Sequence, residues 1–346
     1  MTSPTDIRRR LLRHYRRHAR DLPWRRTRDP YRIWLSEVML QQTRVAVAME
    51  RYVRFLERFP DVTSLAEAPV ELVAEEWAGL GYYGRARRLH EAAREIVSRH
   101  QGRLPEDEIA LRRLPGIGSY TAAAIASIAY NRRAPAIDGN VERVLARVLA
   151  DAEVRRGRRT SRLENLAASL TECSRPGDVN QALMDLGATV CTPRRPRCDE
   201  CPLEDICRGS NLGAPERFPS VRDARPSPRL DVAFAWIPGR TGLWLERRPL
   251  GARWSGLWQL PGEEGPRARS RLAARLGFDQ KHVLARVRHH LSPRRVHAVV
   301  YATDEIPRLA RRADTRPYPR PLDAPLSALA RKAILAVQTA AHHRTD

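Results

Sequence analysis

A chain of 346 residues is long enough for two domains that each bury a core, and its 62 basic and 40 acidic residues give a formal net charge of +22. Mean hydropathy is −0.52, and no run approaches the roughly 20 apolar residues of a transmembrane helix, which excludes a helical membrane protein. Residues 1–10 show no apolar stretch followed by a small-residue cleavage site, so the expectation is a cytoplasmic protein whose five cysteines are not a disulfide framework.

The charge favours a polyanionic partner, because each arginine that meets a phosphate releases condensed counterions. An arginine-rich surface that is merely well solvated carries the same charge, so the number alone does not decide. Only Lys281 and Lys332 are lysines.

In chain order, residues 31–49 and 70–77 carry apolar side chains at three- and four-residue spacing, which predicts helices. Asp29-Pro30, Phe59-Pro60, Gly79-Leu80-Gly81 and Gly102 punctuate this helical region. At Leu114-Pro115-Gly116-Ile117-Gly118, Gly116 and Gly118 permit a tight turn and close approach to the backbone. The helix that follows presents free N–H groups, a place for a phosphate oxygen, although a plain connector between helices uses the same glycines.

Cys191, Cys198, Cys201 and Cys207 follow with the spacing C-x6-C-x2-C-x5-C, close enough to converge on one metal centre. Zinc is the alternative to iron–sulfur, but structural zinc sites use two separated C-x-x-C pairs and only Cys198 and Cys201 form one. Cys173 stands apart and reads as a small buried side chain. Residues 213–229, with Pro215, Pro219, Pro226 and Pro228 among charges, read as a linker. Short strands are predicted at 232–237, 243–247 and 296–302, with a helix at 267–276. From Arg311 onward no pattern is readable, and the segment stands as a tail for a partner or for DNA. The predicted fold is an all-α domain over 1–212, a linker over 213–229 and an α/β domain over 230–346.

The glycine hairpin precedes Thr121 and the small-residue run Ala122-Ala123-Ala124, and Asp138 stands about 20 residues on in Ile137-Asp138-Gly139-Asn140. This arrangement resembles the helix–hairpin–helix element of the base-excision glycosylases related to endonuclease III, and the cysteine spacing matches that family's [4Fe–4S] loop. Leu22-Pro23-Trp24-Arg25, Trp34 to Thr43, Gly79-Leu80-Gly81-Tyr82-Tyr83 and Asn180 to Ala188 resemble its adenine glycosylase branch, the MutY type. Trp254 to Gly262 is similar to the NUDIX-like domain with which that branch reads 8-oxoguanine. The resemblance implies a [4Fe–4S] cofactor, a monomer acting on mismatched duplex DNA, and removal of adenine opposite 8-oxoguanine or guanine. A thymine or uracil mismatch glycosylase and a silent mismatch binder remain as alternatives. A nucleotide hydrolase is disfavoured: Gly262 is followed by Glu263 and Glu264 and then Pro266-Arg267-Ala268-Arg269, without the box of Arg-Glu and Glu-Glu pairs that holds Mg²⁺ in NUDIX hydrolases.

Breaking an adenine N-glycosidic bond needs an acid to protonate the leaving base and a fixed negative charge near the cationic sugar. Glu37, beside Val38 and Met39 on an apolar helix, suits the acid; Asp138, next to Asn140 at a helix start, suits the charge. The ordinary fates of these residues are a surface glutamate and an N-cap. By resemblance Tyr120 touches the acid and the sugar, Gln42 and Tyr82 fill or wedge the duplex, and Trp24, Arg25 and Gln181 line the adenine pocket. Arg194, Arg195 and Arg197 lie in the cysteine loop, within reach of a DNA backbone. Ser292 keeps a hydrogen-bonding position in Leu291-Ser292-Pro293, where the family has Phe-Ser-His. Relatives that also cut the strand carry a Schiff-base lysine two residues after the hairpin's last glycine. Tyr120 stands there, no lysine precedes position 281, and a guanidinium cannot serve as the amine. A monofunctional glycosylase is expected.

Overall fold

The computed structural model describes residues 3–155, 158–220, 227–249, 252–254, 256–277, 282–291, 293–303 and 314–342. It divides into two compact units, Met1–Ala68 with Arg87–Asp223, and Pro69–Ala86 with Ala224–Asp346. Among the described residues no helix is long and apolar enough to cross a membrane.

In the first unit, short polar side chains start most helices by accepting from backbone N–H groups that have no partner inside the helix. Ser3 does so for α1 (Pro4–His18), Asp29 for α2 (Pro30–Leu40), and Asp61, in a capping box with Ser64, for α4 (Val62–Glu67), which follows α3 (Val45–Arg58). The short α5 (Val70–Glu76) belongs to the second unit, and α6 (Gly84–His100) leads back into the first. Asp107 caps α7 (Glu108–Arg113), Asp138 caps α9 (Gly139–Leu149) and Thr160 caps α10 (Ser161–Thr171). Between them α8 (Ser119–Ile128) begins after Gly118 with no side-chain cap. α11 (Pro176–Thr189) and α12 (Arg208–Asn211) complete the unit.

Leu11, Val144, Leu145, Leu163, Leu170, Leu183 and Leu186 pack together from α1, α9, α10 and α11. Each such burial is worth about 1.5–3 kcal/mol. A Cβ on Gly187 would come within 2.7 Å of Asn140 Cβ. α11 therefore lies directly against the start of α9, and only glycine fits between them.

The apolar period over residues 31–49 is not one helix. α2 ends at Leu40 and α3 begins at Val45, with Gln42 between them at φ 59°. The period resumes after the turn, so the pattern conceals it. Within the segment read as linker, Phe218 is buried and its carbonyl accepts from Arg147 Nε at 3.0 Å.

The second unit holds two small sheets. Strand β1 (Arg229–Trp236) pairs antiparallel with β5 (Gly262–Glu264) and parallel with β7 (Arg294–Ala302), which pairs antiparallel with β6 (Val283–Leu291). The other sheet joins β2 (Pro238–Gly239), β3 (Gly242–Arg247) and β4 (Trp258–Gln259), with β8 (Thr315–Tyr318) also on β3. Helices α13 (Ala268–Leu276) and α14 (Ala328–His342) give the α/β character. Phe234, Leu245, Val300, Leu329, Ala333 and Ile334 share one core.

Strands at 232–237, 243–247 and 296–302 and the helix at 267–276 appear where the pattern places them, with slightly different ends. β6 was not expected, since Arg286, Arg288, His289 and His290 break its alternation. It is the last strand of its sheet, and an edge tolerates such charges. The tail reading is overturned for the described part: β8 pairs with β3 and α14 buries Leu329 and Ile334.

Candidate active site

A cleft of about 1520 Å³ in the first unit is lined by eight of the residues singled out above: Glu37, Tyr120, Asp138, Asn140, Trp24, Arg25, Gln42 and Gln181. They come from α2, the turn after it, α8, α9, α11 and the short helical turn Pro23–Arg25.

Glu37 is only 6% exposed although it is a carboxylate on α2. Burial pushes its carboxyl up from the ordinary 4.5 to about 7; a hydrogen bond from Tyr120 and the Arg25 charge pull it down, and the Asp138 charge pushes it further up. The Tyr120 hydroxyl also sits 3.8 Å from Met184 Sδ. Asp138 is held differently. Its carboxylate accepts from the N–H groups of Asn140 at 2.9 Å and Val141 at 2.7 Å and from Asn140 Nδ2 at 2.8 Å. One carboxyl is desolvated and the other is a fixed charge at a helix start, where the dipole favours it.

Trp24 is buried edge-on to Tyr52, with ring centres 5.2 Å apart. Arg25 donates to Asp185 and lies over the Tyr15 ring. Gln181 accepts from the Tyr15 hydroxyl at 3.4 Å. One cleft residue, Arg20, and the carboxylate that holds it, Asp185, escaped the sequence reading. Arg20 lines the cleft and donates to Asp185 at 2.7 Å, so Asp185 clamps Arg20 and Arg25 together. Asp185 follows Gln181 by four residues on α11, the one signal that both share a face.

In the hairpin, Gly116 has φ 79°, and a Cβ there would come within 2.9 Å of Arg88 Cβ, so the turn requires glycine. A Cβ on Gly118 would meet nothing within 4 Å. That space lies before the uncapped start of α8, which suits an anion. Tyr82 belongs to the second unit, 40% exposed at φ 50°. Arg85, also missed, fixes that loop: it donates to the Leu80 carbonyl at 3.1 Å and the Gly81 carbonyl at 3.2 Å, and stacks on the Trp77 and Tyr82 rings. Ser292 lies outside the described residues.

Cys191, Cys198, Cys201 and Cys207 surround one space of about 290 Å³. Burial pushes the Cys201 thiol up to about 12 and raises that of Cys207, so thiolates there need a cationic centre beside them. Arg147, buried on α9, donates to Cys191 Sγ at 3.3 Å and to the Thr192 and Pro193 carbonyls. Arg143, one turn earlier, donates to the Cys191 carbonyl at 2.8 Å and to Asn140 Oδ1 at 3.0 Å. One face of α9 thus joins the cysteine loop to the residue that holds Asp138. Arg194, Arg195 and Arg197 are exposed on the loop.

Residues 35–168 match the HhH-GPD superfamily of base excision DNA repair proteins, 191–207 the iron–sulfur binding domain of endonuclease III, and 232–336 the NUDIX domain. A solved thermostable thymine-DNA glycosylase overlays 60% of this chain and 97% of its own at 29% identity and a TM-score of 0.57. The adenine DNA glycosylase of Rattus norvegicus is 39% identical over 311 residues, 74% of this chain and 60% of the relative. That of Buchnera aphidicola subsp. Acyrthosiphon pisum is 33% identical over 253 residues, 72% of each chain. The chain belongs to the adenine DNA glycosylase family.

The adenine DNA glycosylase relationship runs through both units, and the family's [4Fe–4S] cluster is the cofactor that the four cysteines fit. The chain spans between 42% and 60% of the length of the mammalian and plant adenine DNA glycosylases it matches.

Proposed function

We propose that this chain hydrolyses the N-glycosidic bond of adenine mispaired with 8-oxoguanine or guanine in duplex DNA, without cutting the strand. The observation that carries the reading is Glu37, a buried carboxyl pushed up to about 7 in a cleft shared with Asp138. A flipped adenine in this cleft takes the Glu37 proton at N7. The C1′–N9 bond then breaks, its electron pair leaving with the base, and the sugar cation forms beside the Asp138 charge. Water adds to C1′ and returns a proton to the Glu37 carboxylate. Tyr120 orients Glu37, and Asn140 and Val141 hold Asp138 in place. Trp24, Arg20, Arg25 and Gln181 form the base pocket, while Gln42 and Tyr82 occupy the duplex at the vacated position. Gly116 and Gly118 let a phosphate approach α8. When bound, the [4Fe–4S] cluster ties four points of the loop through Cys191, Cys198, Cys201 and Cys207.

The second unit serves as a reader of the opposite base. Three of its carboxylates are taken by arginines, Glu264 by Arg248 and both Glu263 and Glu246 by Arg275, which supports binding over metal-dependent hydrolysis. Ser292, flanked by Leu291 and Pro293, is proposed to contact the 8-oxoguanine.

The test is a panel of duplexes carrying A, T or U opposite G or 8-oxoguanine, treated with full-length protein and then with or without alkali. Adenine release followed by breakage only after alkali is expected. Thymine or uracil release would favour the activity named for the structural neighbour at 29% identity. Breakage without alkali would contradict the argument from the absence of lysine before position 281.

A further inference from the structure

Residues 7–20 contain seven arginines and two histidines and no acid. Part of this excess is structural. Ile7 and Leu11 face the core, Arg8 donates to the Ser169 and Glu172 carbonyls, and Arg10 bridges Asp6 and Asp205. Arg9 pairs with Asp6. Arg13, Arg16 and Arg17 are exposed and make no ion pair with the described residues.

Elsewhere the chain balances such a helix. On α6, Arg87 pairs with Glu91 and Arg99 with Glu95, each one turn apart. A face that merely needs solvation is built in that way. The helix dipole accounts for Arg16, Arg17 and His18 in the last turn of α1, but it acts only near the helix end and does not reach Arg13. Moreover, Arg9, Arg10, Arg13, His14, Arg17 and His18 line a groove of about 720 Å³ whose far wall is Pro202 of the cysteine loop. Ile7, Leu11, Arg8 and Arg10 anchor the α1 backbone that carries the groove.

The groove also has a direction. Just past the end of α1, Arg20 and Leu22 line the cleft that holds Glu37 and Asp138. Eight helical steps take Arg10 to His18 at the end of α1 and two further residues reach Arg20, roughly 15 Å in all at 1.5 Å per helical step. That matches about four to five base pairs of duplex at 3.4 Å each.

We propose that the α1 groove is a track for the sugar–phosphate backbone of the duplex, reaching up to four to five base pairs from the nucleotide in the cleft. The choice of DNA as the polyanion rests on the function proposed above. The groove's affinity for a regular, closely spaced row of negative charge rests on the arginines alone.

The experiment compares full-length protein with the Arg13→Gln/Arg17→Gln and Arg13→Lys/Arg17→Lys double variants, each checked by thermal melting. Binding to a 30-base-pair duplex with a central mismatch is followed by fluorescence anisotropy from 50 to 200 mM salt. The glutamine variant should lower the slope of log K against log salt by about 2 and weaken binding roughly tenfold at 150 mM salt, at ~0.9 per lost phosphate contact. The lysine variant should retain the slope. An unchanged slope overturns the track and leaves the groove to an acidic protein surface. Should wild type bind DNA but release no adenine, the glycosylase reading fails, and the slope comparison still decides the track.

Discussion

Glu37→Gln should abolish most base release, lowering the single-turnover rate on an adenine:8-oxoguanine duplex by about 10²–10⁴-fold. Glutamine keeps the shape of the side chain and can still accept from Tyr120, but its amide has no proton to give to adenine N7. DNA binding should be retained, since the residue lies at the cleft wall and is only 6% exposed. The variant should also fold at least as well as the parent at alkaline pH. The folded-state pKa of Glu37 is raised to about 7, so the folded chain holds a proton that the unfolded chain has lost. Stability from that proton is full below the ordinary carboxylate range and is lost as pH rises through about 7. Glutamine carries no charge to bury. A melting curve at pH 8 with activity measured on the same sample separates lost chemistry from lost fold.

Asp138→Asn should cost about 10²–10³-fold in the same assay. Here the competing explanation, that Asp138 only caps α9, makes a different forecast. Asparagine is as good a cap as aspartate, and its carbonyl can accept from the Asn140 and Val141 N–H groups. If capping were the whole role, the variant would keep both fold and rate. If the negative charge near C1′ matters, melting should be nearly unchanged while the rate collapses. Asp138→Ala is the contrast: it removes the cap as well and should lower stability by about 0.5–2 kcal/mol.

Much of this was legible because the signals are local. Pro30 behind Asp29 starts a helix by the chemistry of those two residues, Gly116 turns where a side chain would strike Arg88, and the cysteine spacing is a property of 17 consecutive residues. What the sequence hid depends on neighbours far along the chain. The turn at Gln42 interrupts an apolar period that continues in step on its far side. β6 reads as a charged loop until its place at a sheet edge is known. Arg20 and Asp185, 165 positions apart, become one clamp only when α11 packs beside the start of the chain. Arg143 and Arg147 look like solvated helix charges, yet both turn inward to the cysteine loop. Arg85 likewise stacks between two rings that no spacing rule pairs. The segment 314–342 shows the reverse error: its helical period was present and went unread, and α14 supplies core residues.

The measurement that bears most directly on the account is the pH dependence of single-turnover adenine release between pH 5 and 9, with protein in excess over a mismatched duplex. The acid is active when protonated, and burial sets it at about 7. The rate should therefore fall as pH rises through 7, approaching tenfold per unit above it, and the residual rate of Glu37→Gln should show no such limb. A wild-type rate that is flat or rises through pH 7, with Glu37→Gln following the same curve, would contradict the assignment of Glu37 as the proton donor.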